Sequence, residues 1–159
     1  MLFRSPDANS TMRLSFGTVC GYTPFDGAEY DYYTTTKGIL EKVKTHAGDV
    51  DFEVQPKLLS LFSNRDFGRY AGEKGEMNVC FISNNDITGG NSGSAMFNAR
   101  GELLGLAFDG NWEAMSSDIL YEPKMQRCIG VDVRYILFMI EKYGKAGDLI
   151  RELKIVSGK

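Results

Sequence analysis

Short strand-like segments joined by tight, glycine-containing turns occupy the middle of the chain and favour an antiparallel arrangement. The clearest example is a hairpin in which the turn NARG joins Ser94–Asn98 to Glu102–Phe108. Gly101 ends that turn, where a positive φ angle is expected. Strands linked this closely pair with their neighbours in sequence, so the segment predicts a sheet built from hairpins.

Other parts of the chain repeat the strand pattern, with helical spacing in two places. Further strands are predicted at Thr11–Tyr22, Glu29–Thr36, Met77–Ser83 and Gln126–Asp132, with a turn at Pro24–Gly27. Residues 37–70 form a helical excursion with two short helices, and residues 133–154 form a C-terminal helical pair. The last helix is expected to turn four apolar side chains inward: Ala146, Leu149, Ile150 and Leu153. The expected fold is mainly β with helices, a six-stranded antiparallel barrel in a single domain, 1–159.

Composition argues against several classes of function. Of the 159 residues 43% are apolar, which is too hydrophobic for a disordered chain. The sequence contains no run of eighteen apolar residues, which a membrane-spanning helix would need. The net charge of −3 without a basic stripe argues against nucleic acid as a partner. The sequence has no metal, nucleotide or flavin motif, so no cofactor is expected. Three cysteines without metal spacing are interpreted as buried thiols, or as one disulfide and one thiol: Cys20, Cys80 and Cys128.

The stretch TGGNSGS, Thr88–Ser94, lies between two strand-like runs and holds a candidate nucleophile, Ser92. Glycines at 89, 90 and 93 permit tight backbone turns and let a substrate approach the main chain. Successive N–H groups from Gly90 to Ser92 could converge on one point, as an oxyanion hole requires. The alternative is a glycine-rich β-turn without chemistry. The spacing differs from the GxSxG elbow of α/β-hydrolases, because Gly93 follows Ser92 directly and a strand comes next.

This turn resembles the GDSGG or GDSGS turn of chymotrypsin-like serine peptidases, with Asn91 in place of the aspartate. That replacement removes the carboxylate that pairs with a new N-terminus in zymogen activation. Over a wider region, NDITGGNSGSAMFNARGELLGLAFDGNWEAMSSDILYEP and the later VDVRYILFMIEKYG resemble the bacterial dipeptidyl-peptidase 7/11 family of serine exopeptidases. One departure is Ala95, where the family has proline. The resemblance extends from about TMRLSFGTV to the final helix, and it implies the second barrel of a chymotrypsin-like double-barrel peptidase.

The resemblance also implies roles for individual residues. Ser92 matches the nucleophile, and the backbone N–H groups of Gly90 and Ser92 match the oxyanion hole. Asp109 matches the carboxylate that binds the α-ammonium group of the substrate. Gly110 matches the position that selects the second substrate residue: arginine there favours Asp or Glu, whereas glycine leaves an uncharged pocket for apolar side chains. Phe108 is either a wall of that pocket or a core residue.

The catalytic histidine and aspartate of such a peptidase have no good match in this sequence. The only histidine, His46, lies at the end of a predicted helix and is interpreted as a surface residue. Asp49, Asp51 and Asp66 are poor candidates for the triad acid. The chain is therefore expected to be the C-terminal piece of a larger enzyme and inactive alone. Two alternatives stay open: a peptidase-like binding module without activity, and a small self-sufficient peptidase that uses His46 as its base.

The resemblance further implies partners and a compartment. The expected partners are a peptide substrate, the upstream barrel and helical domain of the parent chain, and a second copy in a homodimer. The parent would be secreted to the periplasm or the cell surface.

Trp112, the only tryptophan, is expected to anchor packing rather than bind a ligand.

Overall fold

The computed structural model of the chain describes residue 10 and residues 12–117 and 119–156. Along these residues, three short strands precede two helices, and four further strands precede two more helices. The strands are β1 Tyr22–Phe25, β2 Ala28–Tyr30, β3 Tyr33–Thr35, β4 Asn78–Ser83, β5 Ser94–Phe97, β6 Leu103–Gly110 and β7 Cys128–Asp132. The helices are α1 Thr36–Thr45, α2 Pro56–Ser63, α3 Val133–Phe138 and α4 Gly147–Arg151. Single 3₁₀ turns occupy Val50–Phe52, Gly68–Tyr70 and Trp112–Ser116, and a π-helical turn occupies Met139–Tyr143.

The strands form two sheets. β1 and β2 make an antiparallel hairpin, and five strands follow the order β3-β4-β7-β6-β5. Within the larger sheet, β4 with β7, β7 with β6 and β6 with β5 pair antiparallel. The predicted hairpin is confirmed as β5–β6, and Gly101 in its turn has a φ of 74°.

The expected six-stranded barrel is not found closed in the described part of the chain. A barrel closes only when its first and last strands pair, and here the outer strands of the larger sheet, β3 and β5, remain its two edges. β1 and β2 pair with each other instead of completing the larger sheet. The mainly β, antiparallel class is therefore confirmed, whereas the six-stranded barrel is not confirmed, since no closed barrel is found in the described residues.

The first predicted strand, Thr11–Tyr22, is only partly formed; Thr11 itself lies outside the described residues. Residues 12–17 have no regular structure, and Val19 makes one isolated antiparallel bridge to Ser83. Around that bridge, the N–H of Cys20 donates to the Ile82 carbonyl and the N–H of Asn84 donates to the Thr18 carbonyl. These two hydrogen bonds make up the bridge and hold this segment beside β4 without extending the sheet.

The chain divides into two compact units, residues 1–33 with 80–132, and residues 34–79 with 133–159. The second unit confirms both predicted helical regions and gathers them around one core. Its buried members are Phe62, Phe67, Tyr70, Met77, Leu137, Phe138 and Ile150. The final helix is an exception, because only Ile150 of its predicted inward residues is buried. Leu149 and Leu153 are 55% and 51% exposed, since α4 has just five residues and offers one side chain to the core.

The helix after Asp132 changes its hydrogen-bonding pattern before it ends. α3 stops at Phe138, and the N–H of Gly144 donates to the Met139 carbonyl, five residues back. Nearby, Glu141 accepts from Arg69 at 3.0 Å and from the Tyr70 hydroxyl, which lowers the pKa of the glutamate. This widened turn thus connects the C-terminal helices to the chain around Gly68–Tyr70.

In the described residues, no helix has both the length and the apolar character that a membrane crossing requires.

Candidate active site

The turn that carries Ser92 is rigid. It leads into β5, and its two glycines 90 and 93 have φ angles of 89° and 84°, which favour glycine. The N–H of Gly93 donates to the Ala107 carbonyl at 2.7 Å, and the N–H of Ser94 donates to the Asn91 carbonyl at 2.9 Å. These bonds fix the main chain on both sides of Ser92, whose side chain is exposed. The prediction of a tight turn rather than a linker is confirmed.

Asn91 acts as an internal brace of this turn. Its side-chain oxygen accepts from the Thr88 N–H at 2.9 Å and lies 3.4 Å from the Thr88 hydroxyl. The Asn91 N–H donates back to the Thr88 carbonyl at 3.2 Å. The side chain therefore needs only an acceptor oxygen at this point, which an aspartate also has.

We expect Asn91→Asp to keep the stability of the chain and Asn91→Ala to reduce it by about 1 kcal/mol, because alanine leaves the Thr88 N–H without its acceptor. Urea unfolding of the three proteins measures the difference. Equal losses for Asp and Ala would show that the brace depends on the amide N–H₂ group rather than on the oxygen.

The Ser92 hydroxyl donates to the Phe108 carbonyl at 3.3 Å. This contact places the serine against β6, at the residue that immediately precedes Asp109. The partner is a main-chain carbonyl, which cannot accept the serine proton during a nucleophilic attack as an imidazole can. Within the described residues, the serine is positioned but has no base in contact.

His46 has a different environment. Its ring stacks on Phe52 with a centroid distance of 4.1 Å, and Nδ1 lies 3.0 Å from the Thr45 hydroxyl and 3.2 Å from the Lys42 carbonyl. It follows α1 directly, as the sequence indicated. These contacts are those of a helix-end histidine.

β6 bends at the residues that the sequence analysis assigned to substrate binding. Ala107 pairs with Gly130 but Asp109 pairs with Ile129, so Phe108 is an additional residue in its strand. Such a bulge rotates the side chains that follow it and is frequent beside active sites. Phe108 is 48% exposed, which excludes a core role in this chain. Asp109 is exposed, and its carboxylate accepts from the Gly110 N–H at 2.8 Å.

Two residues that the sequence analysis did not identify support this strand end. Asn111 exchanges two hydrogen bonds with the main chain of Arg127, at 3.0 and 2.8 Å. The Arg127 side chain is buried and donates to four main-chain carbonyls, those of Gly21, Pro123, Lys124 and Gln126. The guanidinium also lies 5.3 Å from the ring centroid of Tyr22. A buried arginine has no local sequence signal, since arginine is normally exposed.

Trp112 is not the packing anchor that was expected, because it is 83% exposed. It is the first residue of a 3₁₀ turn that begins directly after Asn111. Neighbouring apolar side chains are exposed as well: Met115, Ile119 and Leu120. We call these four residues the Trp112 patch.

A cavity of about 900 Å³ opens between residues 13–19 and the sheet. Phe81, Met96 and Ala107 line its floor, and Thr88 and Asn91 line its side. Neither Ser92 nor Asp109 nor Gly110 belongs to its lining, so it is distinct from the predicted peptide site.

All three cysteines are free thiols, which excludes the disulfide alternative in this structure. Cys128 lies on β7, where it pairs with Gly110 of β6. Its thiol is buried, and burial raises its pKa to about 11. In the described residues no cluster of three His, Cys, Asp or Glu side chains could hold a metal ion.

Burial of the Cys128 thiol predicts a pH dependence of stability. Because the folded-state pKa lies above the ordinary value of 9.0, the stabilisation by the neutral thiol is complete below pH 9 and is lost as pH rises through about 11. We expect the melting temperature of the wild type to fall between pH 9 and 11 by a few degrees more than that of Cys128→Ala. Parallel melting curves for the two proteins would contradict this.

A family model described as Peptidase S46 matches residues 4–155. The chain belongs to the Peptidase S46 family. It is 57% identical to a dipeptidyl-peptidase 7 of Porphyromonas endodontalis over 96% of this chain and 18% of that protein. It is 47% identical to an Asp/Glu-specific dipeptidyl-peptidase of Capnocytophaga gingivalis over 95% of this chain and 21% of that protein.

A solved structure of an S46 relative has the same fold over nearly the whole chain. The crystal structure of Porphyromonas endodontalis DPP11 in complex with substrate superposes with a TM-score of 0.87 at 44% identity, covering 94% of this chain and 22% of that one. The resemblance inferred from the sequence is thereby confirmed. The chain spans about a fifth of the length of the relatives it matches.

Proposed function

We propose that this chain is the nucleophile-bearing C-terminal part of a serine dipeptidyl-peptidase that releases dipeptides from the free N-terminus of peptides. The observation that carries the proposal is the hydrogen bond from Ser92 to the Phe108 carbonyl. It sets an exposed serine on a rigid glycine turn directly beside the strand end with Asp109 and Gly110. A nucleophile, an acidic side chain and a position without a side chain thus lie within one short stretch of the chain. Family membership supports the reaction class.

In the proposed reaction the Ser92 oxygen attacks the carbonyl carbon after the second substrate residue. The serine proton passes to a histidine of an upstream barrel, and the Gly90 and Ser92 N–H groups stabilise the resulting oxyanion. Asp109 binds the α-ammonium group of the substrate, which limits the product to a dipeptide. The histidine then gives its proton to the leaving amine as the peptide C–N bond breaks, and water hydrolyses the acyl-enzyme, which releases the dipeptide and frees Ser92.

Selectivity is proposed to be apolar at the second substrate residue. Gly110 presents no charge, and Ile87 lies near it, with its Cγ2 atom 3.9 Å from where a Cβ at position 110 would be. Phe108, half-exposed beside Asp109, contributes an aromatic wall. A pocket of this kind holds aliphatic and aromatic side chains and offers no partner to a carboxylate.

The test uses the intact parent protein, which includes the proposed upstream barrel and helical domain. Peptides with Leu, Phe, Asp or Glu at the second position are incubated with it, each with a free and with an acetylated N-terminus, and dipeptides are detected by mass spectrometry. We expect release from free Leu and Phe peptides and none from acetylated ones, which lack the ammonium group. Release from acetylated peptides would refute the role of Asp109.

The same proposal includes three further points: the chain alone is inactive, the parent protein is located in the periplasm or at the cell surface, and it forms a homodimer. The Trp112 patch and the exposed apolar side chains of Met12, Leu14 and Phe16 need a cover, which the upstream domains or a second copy would supply. A non-catalytic binding module is the second candidate, favoured by the absence of a base in contact with Ser92 within the described residues. A histidine-bearing barrel upstream would decide for the enzyme.

A further inference from the structure

Position 110 is glycine for a steric reason and not for a conformational one. Its φ angle is not among the positive values of the chain, so other residues could adopt its backbone shape. A Cβ atom placed there, however, would lie 2.9 Å from the Cβ of Ala114. The next nearest atoms, the Arg127 carbonyl and Ile87 Cγ2, are at ordinary contact distances of 3.8 and 3.9 Å. Of these three neighbours, Ala114 is therefore the only one too close for a Cβ atom at position 110.

Ala114 cannot move aside easily, because the 3₁₀ turn that contains it is held by its own backbone. The Ala114 N–H donates to the Asn111 carbonyl at 2.9 Å, and the Ser117 N–H donates to the Ala114 carbonyl at 2.9 Å. A methyl group has no rotamer that could relieve the contact. Only a shift of the turn would make room.

The turn is also attached to the sheet and to the β1–β2 hairpin. Asn111, at its start, exchanges hydrogen bonds with the Arg127 main chain. The carboxylate of Glu113, the second residue of the turn, accepts from the Tyr22 hydroxyl at 2.9 Å and from the Asn111 side-chain amide at 2.8 Å. A displacement of Ala114 would disturb these hydrogen bonds. A Cβ atom at position 110 would therefore lower the stability of the fold by weakening several bonds at once.

We propose that Ala114 is a specificity-determining residue that acts together with Gly110. Its methyl group keeps position 110 without a side chain and so keeps the pocket uncharged. With glycine at position 114, position 110 can accept a longer residue, including the arginine that would recognise an acidic substrate. The substrate part of this inference rests on the proposed function, whereas the steric coupling does not.

The steric coupling is tested on this chain by a double-mutant cycle of melting temperatures. We expect Gly110→Ala to melt roughly 2–12 °C below the wild type, the range of an overpacked site. Ala114→Gly should cost a few degrees at most, and the double variant should melt above Gly110→Ala. Gly38→Ala is the control, because a Cβ there has nothing within 4 Å and lies in α1, so it should raise stability. Additive effects of the two substitutions would overturn the coupling.

The specificity part is tested in the intact enzyme with Gly110→Arg, alone and combined with Ala114→Gly. We expect the single variant to lose kcat/KM for all peptides and the double variant to recover activity with Asp and Glu at the second position. The ratio of acidic to apolar kcat/KM should then rise roughly 10–100-fold over the wild type. An equal ratio in the single and double variants would overturn the role of Ala114. A wild type that releases no dipeptides would instead refute the proposed function, and the melting cycle would still decide the coupling.

Discussion

Replacement of Ser92 by alanine in the intact protein should lower kcat/KM for dipeptide release by at least about 10⁴-fold, because in the proposed reaction the Ser92 oxygen forms the acyl-enzyme. The hydroxyl is exposed and makes one bond of 3.3 Å to the Phe108 carbonyl, so its loss should leave the melting temperature nearly unchanged. Activity and melting temperature, measured on the same preparation, separate a chemical role from a structural one.

Ser94→Ala is the matched control for this experiment. Ser94 lies two residues later, is also exposed, and starts β5. Its N–H, which alanine retains, supplies the bond to the Asn91 carbonyl. We expect activity within a few-fold of the wild type. If Ser94→Ala lost as much activity as Ser92→Ala, the turn as a whole and not the Ser92 hydroxyl would be the sensitive element.

The 159-residue chain by itself should not react with a fluorophosphonate probe, because Ser92 contacts a carbonyl and no base in the described structure. Intact mass after incubation, beside Ser92→Ala, gives a direct reading. Labelling that depends on Ser92 would mean that this chain or its oligomer supplies a base. The self-sufficient peptidase with His46 would then be the better hypothesis, in spite of the stacking of His46 on Phe52.

The parts of the fold that local periodicity encodes could be predicted from the sequence. α2 begins at Pro56, a residue type that favours the first turn of a helix, and the β5–β6 hairpin turns at Gly101, because helix starts and hairpin turns depend on a few adjacent residues. Barrel closure depends on pairing between distant strands, for which the sequence gives no comparable signal. The Val19 segment shows the difference, since it has strand composition but only one bridge.

The candidate site was predictable only in its chemistry. Ser92 is predicted from its glycine-rich turn, and the proposed roles of Asp109 and Gly110 come from the family resemblance, but the bulge at Phe108 depends on the register between β6 and β7. Trp112 was misjudged because a large aromatic residue is usually buried, and nothing local indicates a turn that exposes it. Ala114 has no motif either, and its importance appears only from a distance to position 110. Roles that depend on the shape or the burial of a side chain have no local sequence pattern from which they could be predicted.

Arg127→Met should destabilise the chain by at least about 1–3 kcal/mol, the cost of one buried carbonyl left without its donor. Methionine fills much of the volume but leaves the carbonyls of Gly21, Pro123, Lys124 and Gln126 without the guanidinium donor. These carbonyls belong to the start of the β1–β2 hairpin and to the loop before β7, so both should loosen. Urea unfolding measures the loss. Arg100→Met is the control, because Arg100 is exposed and pairs at the surface with Glu102, and it should change stability little.

The same substitution should affect substrate selection in the intact enzyme, because the Arg127 main chain holds Asn111 and through it the residues after Gly110. We expect Arg127→Met, assayed below its melting temperature, to raise KM for Leu and Phe peptides more than it lowers kcat. Ser92 itself is fixed by other bonds, to Phe108 and through Gly93 to Ala107, so the nucleophile should keep its position. A loss confined to kcat would place the effect at Ser92 instead, and Arg127 would then support the nucleophile rather than the pocket.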